Sequence, residues 1–258
     1  MKEGNKAENL LLRVVAITDS LALPRDEDGT CVVFDKTWPY LLSEILRVGY
    51  RAKSEVICNG KRALTADQIV SPHFFKYNIS LYRPSVLVIQ VGIVDCSPRI
   101  FSRREKGVIS SPFFPTRIRK KLIAHRSVRR RQILLKDPLA KVYTKPKEFE
   151  EAMISLRTKI EDLPFLAIPI VLPIVIHEKL DVKSPGIRSN VNEYNRILNH
   201  IWENFVSSSS LLDEGQRSNC FADDGYHLSV EGNRMVAESL GKVIRELLVD
   251  VTVHRVVS

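Results

Sequence analysis

Three side chains in this sequence have the types and placement that acyl transfer through a hydroxyl requires: Ser20, His227 and Asp224. A serine alcohol is hardly ionised near neutral pH. It attacks a carbonyl carbon only with a base in hydrogen-bond reach and a third group to orient that base. Ser20 stands in I-T-D-S-L-A-L-P and His227 in D-D-G-Y-H-L-S. Asp224 lies three residues before the histidine, so a tight turn can bring its carboxylate to one imidazole nitrogen while the other faces Ser20. Taken singly, each has a blander reading. A serine after aspartate at a strand end is more often a cap or turn residue, and a histidine before a helix is usually a surface or capping residue. Their joint occurrence at opposite ends of one chain is what points to chemistry.

Residues so far apart need a scaffold that returns the last helix to the first strand. Residues 11–18 (LLRVVAIT) form a short apolar run that stops at Asp-Ser, as a buried parallel strand does on entering a loop. Residues 36–48 place Trp38, Leu41, Leu42, Ile45 and Leu46 at helical spacing before Gly49. A short strand at 55–58 and a helix at 66–77 follow, and then the clearest buried strand, 85–91 (SVLVIQV). Residues 148–159 read as a helix. Residues 165–176 contain a fourth strand, with Pro173 confined to its end because proline cannot donate to a ladder. Residues 187–205 read as a helix and 207–210 as a polar linker or strand edge. The last helix starts after Ser229, with Glu231 in its first turn, and runs to about residue 249.

Strands alternating with helices predict an α/β fold: a parallel sheet of about five strands covered on both faces, in one domain spanning residues 1–258. Ligands of such sheets bind beyond the C-terminal strand ends, where Ser20 and Asp95 both fall.

The blocks around these residues resemble those of the SGNH (GDSL) hydrolases. T-D-S-L at 18–21 is similar to their G-D-S-L block, V-G-I-V-D at 91–95 to G-x-N-D, and D-G-Y-H at 224–227 to D-x-x-H, in the same order over nearly the whole chain. The resemblance implies a three-layer α/β/α sandwich, flavodoxin-like, with a five-stranded parallel sheet. It also implies Ser20 as nucleophile, His227 as base and Asp224 as its orienting partner, with no cofactor and no metal. Members are esterases, lipases, thioesterases, carbohydrate acetyl-esterases and some acyl transferases. The wording at 19–25 (DSLALPR) and 92–99 (GIVDCSPR) resembles a bacterial subgroup associated with polysaccharide biosynthesis. The implied activity is therefore a serine-dependent ester hydrolase or O-acyl transferase acting on an acylated sugar.

The departures fall on the oxyanion hole. In the family the oxyanion is held by the serine N–H, a second-block glycine N–H and the third-block asparagine side chain. Here the asparagine position, two residues after Gly92, is Val94, which cannot donate. In the second block, 56–65 (VICNGKRALT), the best register puts Ala63 at the glycine position, with Gly60 the alternative. Losing one oxyanion donor costs roughly 3–4 kcal/mol in the barrier. Three accounts are open: Asn59, Arg62 or Arg99 supplies another donor, two backbone donors suffice, or the chain is a non-catalytic module on an enzyme scaffold. Thr18 in place of the block-one glycine requires ordinary backbone angles. Asp19 is expected to brace the serine loop, Asp95 to accept backbone N–H bonds, and Cys96 to be a small buried residue.

Composition sets the remaining bounds. The 258 residues, 44% hydrophobic and 27% charged, are those of a globular chain and exclude a disordered or fibrous one. Cys31, Cys58, Cys96 and Cys220 are scattered with no C-x-x-C pair, so neither a zinc site nor a disulfide framework is indicated. Residues 1–10 lack the marks of a secretory signal, and 165–176 is too short to span a bilayer. A cytoplasmic protein, peripheral at the inner membrane face, is the expectation. The net charge of +9 is concentrated at 99–147, where 16 Lys and Arg stand against Glu105 and Asp137; that segment carries +14 and the remainder −5. An insertion there, after the third strand, overhangs the ligand edge of the sheet as a lid. Its candidate anions are an acidic glycan, the pyrophosphate of a lipid-linked sugar, acyl-CoA or an anionic membrane. Phe101, Phe113 and Phe114 are candidates to stack on sugars, and no recognised nucleic-acid motif accompanies the run.

Overall fold

The apolar run that ends at Thr18 becomes the second strand in the order of a parallel sheet. The computed structural model describes residues 11–27, 30–49, 53–99, 101, 103–109, 111, 115–212 and 217–257. Its strands are β1 (Leu12–Thr18), β2 (Arg25–Glu27), β3 (Thr30–Val32), β4 (Ser54–Gly60), β5 (Val86–Gln90) and β6 (Ile168–Val171). The main sheet runs β4-β1-β5-β6, all parallel, and β2 and β3 pair separately as a small antiparallel hairpin. Strand order reverses at β1, so the loops after β1 and β5 open on the same crevice.

The sheet has four full strands where about five were expected. The fifth place is held by a single parallel bridge between Val171 and Phe205. Val171 N–H donates to Asn204 O at 3.0 Å and Val206 N–H to Val171 O at 2.9 Å. Pairing stops there because Ser207 caps a short helix, its hydroxyl accepting from Ser210 N–H. Residues 207–210 are thus the start of a helical turn rather than a strand edge. Pro169 sits inside β6, and its register explains the tolerance. Ile168 and Leu172 donate towards β5, whereas residues 169 and 171 face the outer side, where a missing N–H breaks no ladder bond.

The helices are α1 (Trp38–Gly49), α2 (Ala66–Ile69), α3 (Pro72–Asn78), α4 (Ile93–Cys96), α5 (Arg103–Ile109), α6 (Thr116–Lys136), α7 (Pro146–Glu161), α8 (Lys179–Lys183), α9 (Ile187–Ile201), α10 (Ser208–Leu211) and α11 (Val230–Val257). The single helix expected over 66–77 is two. Proline disfavours helical angles at the residue before it, so Ser71 turns extended and caps α3 by accepting from Phe74 N–H. The final helix extends past residue 249 to Val257.

Alternation along β1 divides the core between two layers. Val15 and Ile17 pack with Phe149, Leu156, Tyr194 and Leu198 of α7 and α9. Val14 and Ala16 pack with Trp38 and Leu42 of α1 and with Val236 and Leu240 of α11. The result is the three-layer α/β/α arrangement. Trp38 ties the layers to the sheet: its backbone N–H donates to Asn233 Oδ1 at 2.9 Å and its indole N–H to Gln90 Oε1 at 2.9 Å. The basic insertion contributes α5 and α6. Helix α6 contains no acidic residue and buries one side chain, Leu134. Phe101 lies beneath the Arg126 guanidinium, 5.2 Å from ring centroid to Cζ, while Phe113, Phe114 and residues 1–10 fall outside the described residues. Among the described residues no helix is long and apolar enough to cross a membrane.

The start of α11 passes directly over the backbone of the preceding turn. A Cβ added at Gly232 would lie 2.1 Å from Cys220 O. Because the obstacle is backbone, Gly232→Ala is expected to destabilise the fold by about 1–3 kcal/mol, read as a lower urea midpoint. A midpoint unchanged from the parent would show that α11 is free to shift.

Candidate active site

Ser20 is placed by hydrogen bonds on either side of it. Thr18 closes β1 in the extended conformation, and its side chain donates to Gln90 Oε1 at 3.1 Å. Asp19 N–H donates to Gln90 O at 3.3 Å, and Leu21 N–H returns to Asp19 Oδ1 at 2.9 Å, making Asp19 the cap of a one-turn 3₁₀ helix over Ser20–Ala22. Ser20 is the half-exposed member of an otherwise buried loop.

The turn before α11 supplies the other partners. Asp224 Oδ1 accepts from the N–H of Tyr226 at 3.1 Å and of His227 at 3.0 Å, an Asx-type turn that fixes the carboxylate against its own backbone. Its Oδ2 lies 2.6 Å from His227 Nδ1, and His227 Nε2 lies 2.9 Å from Ser20 Oγ. The fold therefore joins in one hydrogen-bonded chain three residues separated by up to 207 positions. With Nδ1–H donated to the carboxylate, Nε2 is left as an acceptor for the serine proton.

A fourth member was not evident from sequence. Arg25, on the β2–β3 hairpin, donates from Nη1 to Asp224 Oδ2 at 2.9 Å, with its side chain only 4% exposed. Burial alone would raise the pKa of Asp224. Hydrogen bonds from His227, Arg25 and Tyr226 outweigh that and hold the carboxyl well below the usual range. The arginine was visible only as the last letter of a local block, and nothing in its spacing connects it to residue 224.

The other sequence candidates separate. Asn59 donates to Asn78 O at 2.7 Å, and Arg62 donates to Pro24 O at 3.2 Å. Gly60 ends β4, whereas Ala63 has a φ of +57°, the left-handed region that favours glycine. Ala63 thus has the backbone expected of a glycine at that position. Gly92 has a φ of +112° and turns the chain from β5 into α4. Val94 is buried in the core with Leu21 and Ile93 and presents no polar side-chain atom. Its carbonyl accepts from Arg99 Nη2 at 3.0 Å, and Arg99 stacks on Tyr143 at 4.8 Å. Asp95 accepts from Ala66 N–H at 3.2 Å and from Thr144 Oγ1 at 2.5 Å, pinning α2 to the base of the insertion. Cys96 is fully buried, and burial pushes its thiol pKa up, away from the thiolate a nucleophile needs.

Asp19 contrasts with Asp224. It is fully buried, and Oδ2 has no hydrogen-bond partner among the described residues. Burial, with the charge of Asp95 adding to it, pushes its pKa up to about 7 against the opposing effects of the Leu21 N–H and Arg99.

No protein-family model and no curated protein matches the chain. Solved structures do. A catalytic mutant of Axe2, an acetylxylan esterase from Geobacillus stearothermophilus, superposes with a TM-score of 0.59 at 17% identity, covering 90% of this chain and 93% of that one. A GDSL-like lipase from Parabacteroides merdae gives 0.58 at 13%, covering 90% and 94%. LAE5, an alpha/beta hydrolase from the metagenome of Lake Arreo, Spain, gives 0.54 at 14%, covering 90% and 94%. The chain shares its α/β fold with these proteins along nearly its whole length.

Two outcomes are expected from this geometry. A carboxyl whose pKa is raised by folding binds more protons in the native state, so stability falls as pH rises from the unfolded value near 3.8 to about 7 and is level above it. Asp19→Asn removes that loss. Its stability relative to the parent should grow between those pH values, and a constant difference across them would contradict the assignment. Ala63→Gly relieves the strained φ and should raise stability by up to about 1 kcal/mol in chemical denaturation; a loss of that size would show that the alanine methyl matters more than the strain.

Proposed function

We propose that this chain is a serine-dependent carboxylic ester hydrolase that removes, or passes on, acyl groups carried by a carbohydrate. The observation that carries this reading is the continuous chain Ser20 Oγ, His227 Nε2, His227 Nδ1, Asp224 Oδ2, with links of 2.9 and 2.6 Å, at the C-terminal edge of the sheet. The carbohydrate part rests on the shared fold with an acetylxylan esterase.

In this mechanism His227 Nε2 takes the Ser20 proton as Oγ bonds to the acyl carbon, and the carbonyl electrons move onto the oxygen. Collapse of the tetrahedral intermediate breaks the bond to the sugar oxygen, which leaves with the proton from His227. Water, or a second sugar hydroxyl, then loses a proton to His227 and attacks acyl-Ser20, regenerating the serine. Asp224, held ionised by its hydrogen bonds from His227 and Arg25, keeps Nδ1 protonated and steadies the imidazolium. The backbone N–H groups of Ser20 and Ala63 serve the oxyanion, and Val94 leaves the hole one side-chain donor short. A modest turnover number is the corollary.

Ser20→Ala and His227→Ala should each lower hydrolysis of p-nitrophenyl acetate by about 10³-fold or more. A serine-directed fluorophosphonate should add one label to the parent and none to Ser20→Ala, by intact mass. Turnover surviving both substitutions would remove Ser20 and His227 from the mechanism. An unlabelled parent that still binds acidic glycans would instead favour a non-catalytic module.

A further inference from the structure

Part of the positive charge of the insertion helix lines a concavity. A concavity of about 490 Å³ is lined by His125, Arg126, Arg129 and Arg130 on α6 and by Lys141 beyond its end. Among the described residues Glu105 is the one carboxylate in that lining, and it is paired with Arg126. Four permanent cations against one anion leave three charges uncancelled within the wall. Helix α6 supplies no acidic residue along its 21 positions to offset them. The pKa of the Arg130 guanidinium is lowered by burial and then by the charge of Arg99.

The cavity is anchored to both loops of the candidate active site. Arg130 Nη2 donates to Pro98 O at 3.1 Å and to Ser184 Oγ at 2.8 Å. Arg131 Nη1 donates to Val182 O at 3.2 Å, and the adjacent Lys183 Nζ donates to Asp223 O at 2.8 Å, beside Asp224. On the other wall, Arg99 N–H donates to Lys141 O at 2.7 Å while its guanidinium holds Val94 O. Hydrogen bonds thus tie α6 to the segment before α9, whose Lys183 holds the residue before Asp224, and tie Lys141 to the loop after β5.

We propose that this cavity is an anion subsite that binds a phosphate or pyrophosphate group carried by the substrate or acyl donor whose ester lies at Ser20. The role assigned to it rests on the ester-hydrolase reading above. Among the described residues Arg129 and Lys141 form no ion pair and supply donors for phosphate oxygens, while Arg126 and Arg130, held by Glu105, Pro98 and Ser184, add their charge to the wall. Three uncancelled charges fit a multiply charged phosphate group better than a single carboxylate. Two sources carry that chemistry, a soluble phosphate ester and a phosphorylated lipid headgroup.

The test is calorimetric titration of the full chain with sodium pyrophosphate at low ionic strength, on the parent and on Ser20→Ala, so that binding is read whether or not Ser20 reacts. One saturable site is expected on both, weakening with salt. The double variant Arg129→Gln/Lys141→Gln changes only exposed side chains and should bind at least about tenfold more weakly with an unchanged melting temperature. Sedimentation with phosphatidylcholine vesicles containing phosphatidic acid separates the sources. Pelleting that pyrophosphate reverses marks a lipid headgroup, and pyrophosphate binding without pelleting marks a soluble ester. Pyrophosphate binding no tighter than sulfate, equal binding by the double variant, or vesicles or a single-stranded oligonucleotide that bind without displacement by pyrophosphate would each overturn the proposal. Fluorophosphonate labelling of Ser20 stands or falls separately.

Discussion

The contact between Ser20 Oγ and His227 Nε2 is the constraint on which the rest of the arrangement depends, because it must be met across 207 residues of sequence. Neither partner is held by the other. Ser20 is fixed by the end of β1, whose backbone is bonded to β4 on one side and β5 on the other. His227 is fixed by a turn that α11 delivers, and α11 is held over the sheet by packing against α1. Trp38 and Asn233 join those two helices at the end nearest the site. The hydrogen bond is therefore a readout of core packing one layer away: a shift of α11 against α1 moves the imidazole before it disturbs the sheet. The 2.1 Å clearance that forbids a side chain at Gly232 sets that position.

Two aspartates beside this contact show how environment divides identical side chains. Asp224 is partly buried but receives the His227 ring, two backbone N–H groups and Arg25, and the sum keeps it ionised. Asp19 is buried completely, receives one backbone N–H and lies near Asp95, and its pKa moves to about 7. Depth and donors both divide them: Asp19 is buried more deeply and receives fewer hydrogen bonds. Asp224 therefore keeps its charge beside His227 over a pH range in which Asp19 titrates.

Features legible in the sequence were those encoded locally. A β-branched run ending in Asp-Ser announces a buried strand and its loop, and D-x-x-H before a capped helix announces a turn with two functional groups. Alternation of strands and helices gave the layers. Arg25 was illegible because it reaches Asp224 through a three-residue hairpin strand with no periodicity to read. The reduced fifth strand escaped for a related reason: one bridge at Phe205 leaves no alternating pattern. The split at Pro72, by contrast, was present in the letters, since a proline displaces the residue before it from helical angles. Ala63 shows the reverse case, in which a residue type conceals a backbone conformation that glycine would have advertised.

Val94 is best understood together with Arg99. At position 94 the chain turns an isopropyl group into the core and binds the same residue's carbonyl with a guanidinium five positions on. Packing fills the position, and positive charge stands in its neighbourhood. Arg99 lies close enough to Asp19 to lower its pKa, opposing burial. The positive field of Arg99 therefore acts on the loop that carries Ser20. Arg99 is also the residue whose backbone joins Lys141 and the base of the insertion. The loop that carries Val94 and the base of the charged insertion are thus joined through a single residue, Arg99.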